Sequence, residues 1–290
     1  MKPTLLLAVI LAAGAPGAHA QTTISELHRY SYAANGGWMD WNLSPVTPEN
    51  GVRVTDTFLA GYVHAPNFGW IHLGNGAPAN GHSYANTTAG NYGVNLSPNG
   101  ELTGYAYGAN IGWIQFEQTH GRPRLDRISG RLAGHAYAAN VGWIALDSRS
   151  TDLATTTLSR PDSDGDGMAD PWEWQQFFSL AADTTSDKDG DGSSDVDEYK
   201  AGTDPNLPGS LLLITSHSHD EALTNATLTW TIVPTRRYRI EYGEDLSGPW
   251  TNSSLGTITP EPGSTVTRTV TTPPAPSRRY FRVEAVQPLP

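Results

Sequence analysis

Two stretches place carboxylates at the spacing a hard cation needs. Counting from Asp162 as position 1, acids fall at positions 1, 3, 5, 9 and 12 (Asp162, Asp164, Asp166, Asp170 and Glu173). Gly167 stands at position 6, and Met168 at position 7 offers its carbonyl. The pattern returns 25 residues later with Asp187, Asp189, Asp191, Gly192, Ser193 (through its carbonyl), Asp195 and Glu198. Oxygen donors so arranged, a glycine for the sharp turn and a closing Glu able to bind through both oxygens match the cage of a seven-coordinate Ca2+. Two calcium sites are expected. Their role is read as structural, because neutralising the clustered carboxylates would stiffen the join between the flanking regions.

The charge distribution isolates the same segment. The 290 residues carry Lys+Arg 18 against Asp+Glu 29, a net charge of -11. Residues 161–206 alone hold thirteen acids and two bases, which accounts for all of it. Residues 21–160 have nine acids and eight bases, and 207–290 have seven of each. An acidic chain of this kind argues against a nucleic-acid or phosphate-binding surface. The absence of cysteine excludes disulfides, a thiolate nucleophile, iron–sulfur clusters and Cys-ligated zinc. No serine-nucleophile elbow, metalloprotease helix, phosphate loop or dinucleotide fingerprint occurs, so no enzymatic activity is expected.

A second set of candidate ligands is imidazole. His64, His72 and His135 sit inside a repeat whose four copies centre on Trp38, Trp70, Trp113 and Trp143, spaced 32, 43 and 30 residues apart. Each copy reads as strand, turn, strand, as in Gly104-Tyr105-Ala106-Tyr107-Gly108-Ala109-Asn110-Ile111-Gly112-Trp113-Ile114. A further short strand is expected before some copies, around 51–54 and 124–128. The Asn suits a left-handed turn position, and the Gly before Trp allows close approach. One such meander cannot bury its own face; four together close into an all-β body, with the tryptophans expected as its aromatic core. His64 stands where other copies have Tyr107 and Tyr137, and His135 where they have Tyr62 and Tyr105. His72 follows Trp70 by two and shares its strand face. Imidazole suits copper, zinc or nickel where no thiol is available, although packed or surface histidines give the same spacing. The pair His217 and His219 is read as surface.

Trp70-Ile71-His72 within a secreted β-repeat chain resembles the copper site of the methanotroph surface proteins of the MopE/CorA type. In that family a Trp oxidised to kynurenine, the His two residues on and a distant His bind copper. The resemblance implies Trp70 and His72 as ligands of one copper, with His135, then His64, as the distant one. The calcium segment resembles the loop–helix repeats of dockerins and thrombospondin type 3 modules, since residues 155–161 supply no entering helix. The region after 209 resembles fibronectin-III/Ig-like modules. Its strand-like runs at 210–217, 226–233, 237–242, 253–259, 264–271 and 279–285 suggest an antiparallel sandwich.

The expected chain is therefore mainly β. A signal peptide at 1–20 precedes a four-unit β-repeat region at 21–160, a paired calcium loop–helix segment at 161–208 and a β-sandwich at 209–290. After the first loop, Asp170 as N-cap and Pro171 as first helical residue start a helix whose apolar face is Trp174, Phe177, Phe178 and Ala181. The second helix ends near Gly202. No apolar run is long enough to span a membrane. The functional expectation is a secreted or cell-surface metal-binding protein holding copper and two calcium ions. Its alternative is a calcium-stabilised adhesion or carbohydrate-binding protein whose exposed members of Trp38, Trp41, Trp70 and Trp113 stack on glycans or other surface components. A purely structural envelope role is the third reading.

Overall fold

The computed structural model describes residues 21–43, 50–148, 151–221, 224–274 and 278–290; the signal-peptide expectation lies outside them. The protein is mainly β. Among the described residues no helix is long and apolar enough to cross a membrane.

Four hairpins build the first region. They are β1 (Tyr30–Ala33) with β2 (Gly37–Asp40), β5 (Tyr62–Ala65) with β6 (Gly69–His72), β8 (Leu102–Gly108) with β9 (Gly112–Phe116), and β12 (His135–Ala138) with β13 (Gly142–Ala145). Neighbouring hairpins pair antiparallel in the order β6-β5-β2-β1-β13-β12-β9-β8, and β6 pairs with β8 to close the ring. The register repeats at every seam. The residue two after each Trp faces the second ring position of the next unit: Asp40 with His64, His72 with Tyr107, Gln115 with Tyr137 and Ala145 with Tyr32. β7 (Val94–Leu96) adds beside the far end of β8. Two-stranded pairs lie outside the ring: β3 (Arg53–Val54) with β4 (Leu59–Ala60), β10 (Arg124–Leu125) with β11 (Leu132–Ala133), and β14 (Asp147–Ser148) with β15 (Thr151–Asp152). The short strands expected at 51–54 and 124–128 thus exist in part, as members of these side pairs.

An eight-stranded barrel is narrow enough for side chains to fill its interior. Here small and large residues alternate around the lumen. Ser31, Val63, Ala106 and Ala136 on the first strands face Met39, Ile71, Ile114 and Ile144 on the second, and all eight are buried. Strand alternation then turns every repeat Trp outward, because it sits one residue from a lumen position. Trp38, Trp70, Trp113 and Trp143 are 46%, 47%, 44% and 41% exposed, whereas Trp41 is 2% exposed. This overturns the expectation of a tryptophan core: aliphatic residues fill the barrel, and the aromatics ring its outside.

The repeated Asn also has another role than expected. None of Asn35, Asn67, Asn110 and Asn140 adopts positive φ; the following Gly37, Gly69, Gly112 and Gly142 do, at +80°, +76°, +76° and +85°. Each Asn side-chain amide instead donates to a turn carbonyl of the adjacent hairpin. Asn35 reaches Val141, Asn140 reaches Ile111, Asn110 reaches Phe68 and Asn67 reaches Gly36, at 3.0–3.1 Å. These four bonds form a closed cycle at one end of the barrel. The Phe68 ring occupies the space over Gly36, where a Cβ would stand 1.7 Å from it.

The middle segment holds two short helices, α1 (Asp170–Gln176) and α2 (Asp195–Ala201). Ala169, not Asp170, is the N-cap of α1, and the helix ends at Gln176. The expected face through Phe178 and Ala181 therefore does not form; Phe178 has φ +57° and is exposed. Trp172 packs instead against Phe177 and Tyr199, and Trp174 lies over Gly81 of the barrel region. α2 ends on left-handed Gly202, as expected.

The last region is a sandwich of two three-stranded sheets. One runs β16 (Ile214–His219), β17 (Asn225–Thr231), β20 (Thr265–Thr271), and the other β19 (Thr251–Asn252), β18 (Arg237–Gly243), β21 (Tyr280–Val286). Leu228, Trp230, Tyr238, Ile240, Val266 and Val270 fill the space between them. The run expected at 253–259 contributes only an isolated bridge from Ile258 to Tyr238. The chain then returns to the barrel, where Leu289 joins its core and the Pro290 carbonyl accepts from the Leu158 amide at 3.2 Å.

Candidate functional site

The two acidic loops fold alike, bond for bond. In the first, Asp162 accepts from the Gly165 and Gly167 amides at 2.7 and 3.0 Å; in the second, Asp187 accepts from Gly190 and Gly192 at 2.8 and 3.0 Å. Asp166 accepts from the Met168 amide at 2.8 Å and Asp191 from the Ser193 amide at 3.0 Å. These amide bonds orient the carboxylates inward. Oxygens of Asp162, Asp164 and Asp166 lie within 4.8 Å of one another, and so do those of Asp187, Asp189 and Asp191.

Exposed acidic clusters are common, so the decisive groups are the closing glutamates. Glu173 and Glu198 are 0% exposed; neither oxygen of Glu173 has a hydrogen-bond partner among the described residues, and Glu198 has only the Thr203 side chain near enough to oppose its burial. One oxygen each of Asp166 and Asp189 is likewise buried and unpartnered. Burial, reinforced by the charges of Asp166, Asp164, Asp170 and Asp162, pushes Glu173 up to about 8. Burial also pushes Glu198 up to about 7, with Thr203 opposing and Asp189, Asp191 and Asp195 adding to the rise. A carboxylate kept ionised in such a place costs several kcal/mol (on the order of 3–5) unless a cation or a proton compensates, and the raised pKa values are the proton's share of that compensation. Oxygen-only donors in this number fit Ca2+ rather than a soft metal.

Not every expected ligand points at a cation. Asp170 accepts from the Ser163 amide at 2.7 Å and its hydroxyl at 2.5 Å, and Asp195 accepts from the Lys188 amide at 2.9 Å. Both therefore close their loops, consistent with a position that reaches the ion through water. Met168 buries its side chain with Ala169, Val196 and Tyr199, which packs the two loops against each other.

The outer face of the barrel carries the second candidate. Each repeat Trp packs edge-on against a ring from the preceding strand: Tyr32 at 5.2 Å, His64 at 4.9 Å, Tyr107 at 4.9 Å and Tyr137 at 5.1 Å. A second ring lies on its other side, from Tyr30, Tyr62, Tyr105 or His135, at 6.1–6.3 Å. The result is a girdle of aromatic pairs in four-fold array. Of the tryptophans considered for sugar stacking, Trp38, Trp70 and Trp113 belong to it and Trp41 does not. Trp143 belongs to it and was not singled out, although its place in the repeat is the same.

The copper candidates divide. His64, Trp70 and His72 share the outer face of β5 and β6, in register as His64 opposite Trp70 and Tyr62 opposite His72. His135 is on β12, separated from β6 by β8 and β9 around the ring, and packs on Trp143. The structure does not bring it to His72. His72 is instead held by Tyr92, whose hydroxyl lies 2.7 Å from Nδ1. Burial lowers the proton affinity of His72, with a bond to the Gly74 backbone opposing. Tyr92 comes from the insertion that lengthens the second repeat spacing, and it also packs on Trp113 at 4.9 Å. Sequence reasoning missed it because it lies outside the repeat. His217 and His219 lie on the exposed β16, as expected.

Compared with known proteins, the chain matches no protein-family model, no curated protein and no solved structure.

Proposed function

We propose that this is a calcium-binding protein of the cell exterior in which two ions clamp a β barrel to a β sandwich. The observation that carries this reading is the pair of fully buried carboxylates, Glu173 without a hydrogen-bond partner among the described residues and Glu198 with only the Thr203 side chain beside it, each closing a loop of three converging aspartates. Calcium supplies the positive charge these oxygens lack and fixes the N-terminal ends of α1 and α2. Direct metal analysis after dialysis against trace calcium should give two ions per chain. Glu173→Gln and Glu198→Gln should each remove one. Retention of both ions in either variant, or no calcium in the wild type, sinks the proposal.

The clamped molecule then displays its aromatic girdle. Flat, half-exposed Trp and Tyr rings, with few aliphatic residues among them, suit the C–H faces of glycans better than an apolar protein surface. This favours a binding or adhesion role. Binding of Trp113→Ala to immobilised polysaccharides should fall relative to wild type while its fold is kept; unchanged binding rejects the reading.

The juxtaposition of His64, Trp70 and His72 supports a second reading, a single copper on that face, with His64 rather than His135 as the further ligand. Two imidazoles without sulfur suit copper. After copper loading and washing, His64→Ala should lose the metal and His135→Ala should keep it. The reverse result, or no copper in the wild type, rejects this assignment.

A further inference from the structure

Where the barrel, the calcium segment and the sandwich meet, three guanidinium groups gather round one carboxylate. Arg160 Nε donates to Asp56 Oδ2 at 3.0 Å, and Arg127 Nη1 lies 3.5 Å from Asp56 Oδ1. Arg236 donates to the Lys200 and Tyr199 carbonyls at 2.7 and 2.9 Å and forms no ion pair among the described residues. Arg127 is the most enclosed of the three, with its side chain 9% exposed. Its Nη2 donates to the carbonyls of Asp56 and Ser97, but its Nε is buried and has no partner among the described residues. Burial lowers its proton affinity most; the charge of Asp56 opposes this, and the like charges of Arg236 and Arg160 add to the lowering.

Arg127 and Arg236 line a cavity of about 480 Å3, within the roughly 300–1,000 Å3 of small-ligand sites. Asp56, already paired with Arg127 and Arg160, lines it too, and its other walls include the Trp172 ring, the Gln175 amide and the Thr203 and Ser210 hydroxyls. Asp204 stands at the exposed rim and accepts from the Asn206 amide. Even with Asp204 counted, the cluster keeps one positive charge in excess. A planar guanidinium presents N–H pairs as a fork suited to a carboxylate. Amide and hydroxyl walls suit a hydroxylated body, and an indole suits its C–H face.

We propose that this cleft binds a small, hydroxylated carboxylate of the acidic-sugar class, with the carboxylate on Arg127 and Arg236. The site is separate from the aromatic girdle, and through Thr203 it adjoins Glu198 of the second acidic loop.

The test is calorimetric titration of the whole chain in millimolar calcium, with bound calcium measured separately so that failure of the metal reading is seen on its own. D-glucuronate is the probe, D-glucose its neutral match, and inorganic phosphate an anion without a hydroxylated ring. Glucuronate should bind saturably at one per chain, with glucose and phosphate each at least about ten-fold weaker. Gln175→Trp, which fills the cleft from a half-exposed position, should weaken glucuronate by at least about ten-fold. Arg127→Lys should do the same; if that variant fails to fold, Gln175→Trp decides alone. The proposal is overturned by no saturable glucuronate binding, by glucose or phosphate binding as tightly, or by a folded Gln175→Trp that binds as the wild type does.

Discussion

At the scale of single residues, the same residue type plays opposite parts according to strand parity. Trp41 is buried and its indole N–H donates to Ser31 Oγ at 2.8 Å, inside the barrel region. Trp113, in the repeat, faces outward and leans on Tyr107 and Tyr92. Trp41→Ala should cost about 3–5 kcal/mol through the cavity and the lost bond. Trp113→Ala removes only surface ring contacts and should cost roughly 1 kcal/mol. Thermal unfolding of the two variants separates them, and equal losses would contradict an outward-facing girdle. The parity was legible: Ala106 and Ile114 alternate with Tyr107 and Trp113, which puts aliphatics and aromatics on opposite faces. Which face is the lumen was not legible from one hairpin. It depends on closure into eight strands, where the interior admits Ala, Val, Ile and Met but has no room for four indoles.

At the scale of elements, the repeat works because each turn carries its own fastener. The Asn amides bond across every seam in a cycle, so closure is written into the turns as well as the strand edges. Asn140→Ala deletes one link, to Ile111, and leaves that carbonyl to water; the cost should be about 1 kcal/mol. Asn140→Asp supplies no N–H to the carbonyl and should destabilise at least as much. A melting temperature unchanged in both variants would show that the ring closes without these links. The periodic Asn was visible in the sequence, but its partner lies in another hairpin, 29 residues away for Asn140 and 106 for Asn35. The shape of the two acidic loops was more legible, since their bonding is local and repeats at fixed offsets. The helix after the first loop ends at Gln176, short of its apolar spacing, and its Trp174 lies over Gly81 of the barrel region, a partner that spacing along the chain does not reveal.

At the scale of the whole molecule, α2 joins the second acidic loop to the two β bodies, and it is the part through which the proposed calcium would act on both. Glu198 belongs to the second loop, and the next residue, Tyr199, donates its hydroxyl to Asp56 Oδ2 at 3.1 Å on the barrel side. Arg236 of the sandwich side holds the Tyr199 and Lys200 carbonyls, satisfying the end of the same helix. Fixing Glu198 with a cation therefore fixes both contacts. Calcium at about 100 times its dissociation constant stabilises whatever it is linked to by about 2.7 kcal/mol. Part of that should appear in the barrel, at the Asp56 loop between β3 and β4. Tyr199→Phe removes only the hydroxyl, and with it a bond to a charged acceptor worth about 1.5–3 kcal/mol. The variant should still bind two calcium ions. In hydrogen exchange, calcium should slow the amides of residues 53–60 in the wild type and slow them distinctly less in Tyr199→Phe. Protection within the calcium loops should be the same in both. Equal slowing at 53–60 in the two proteins would mean that calcium acts on its own segment alone and that the clamp does not transmit to the barrel.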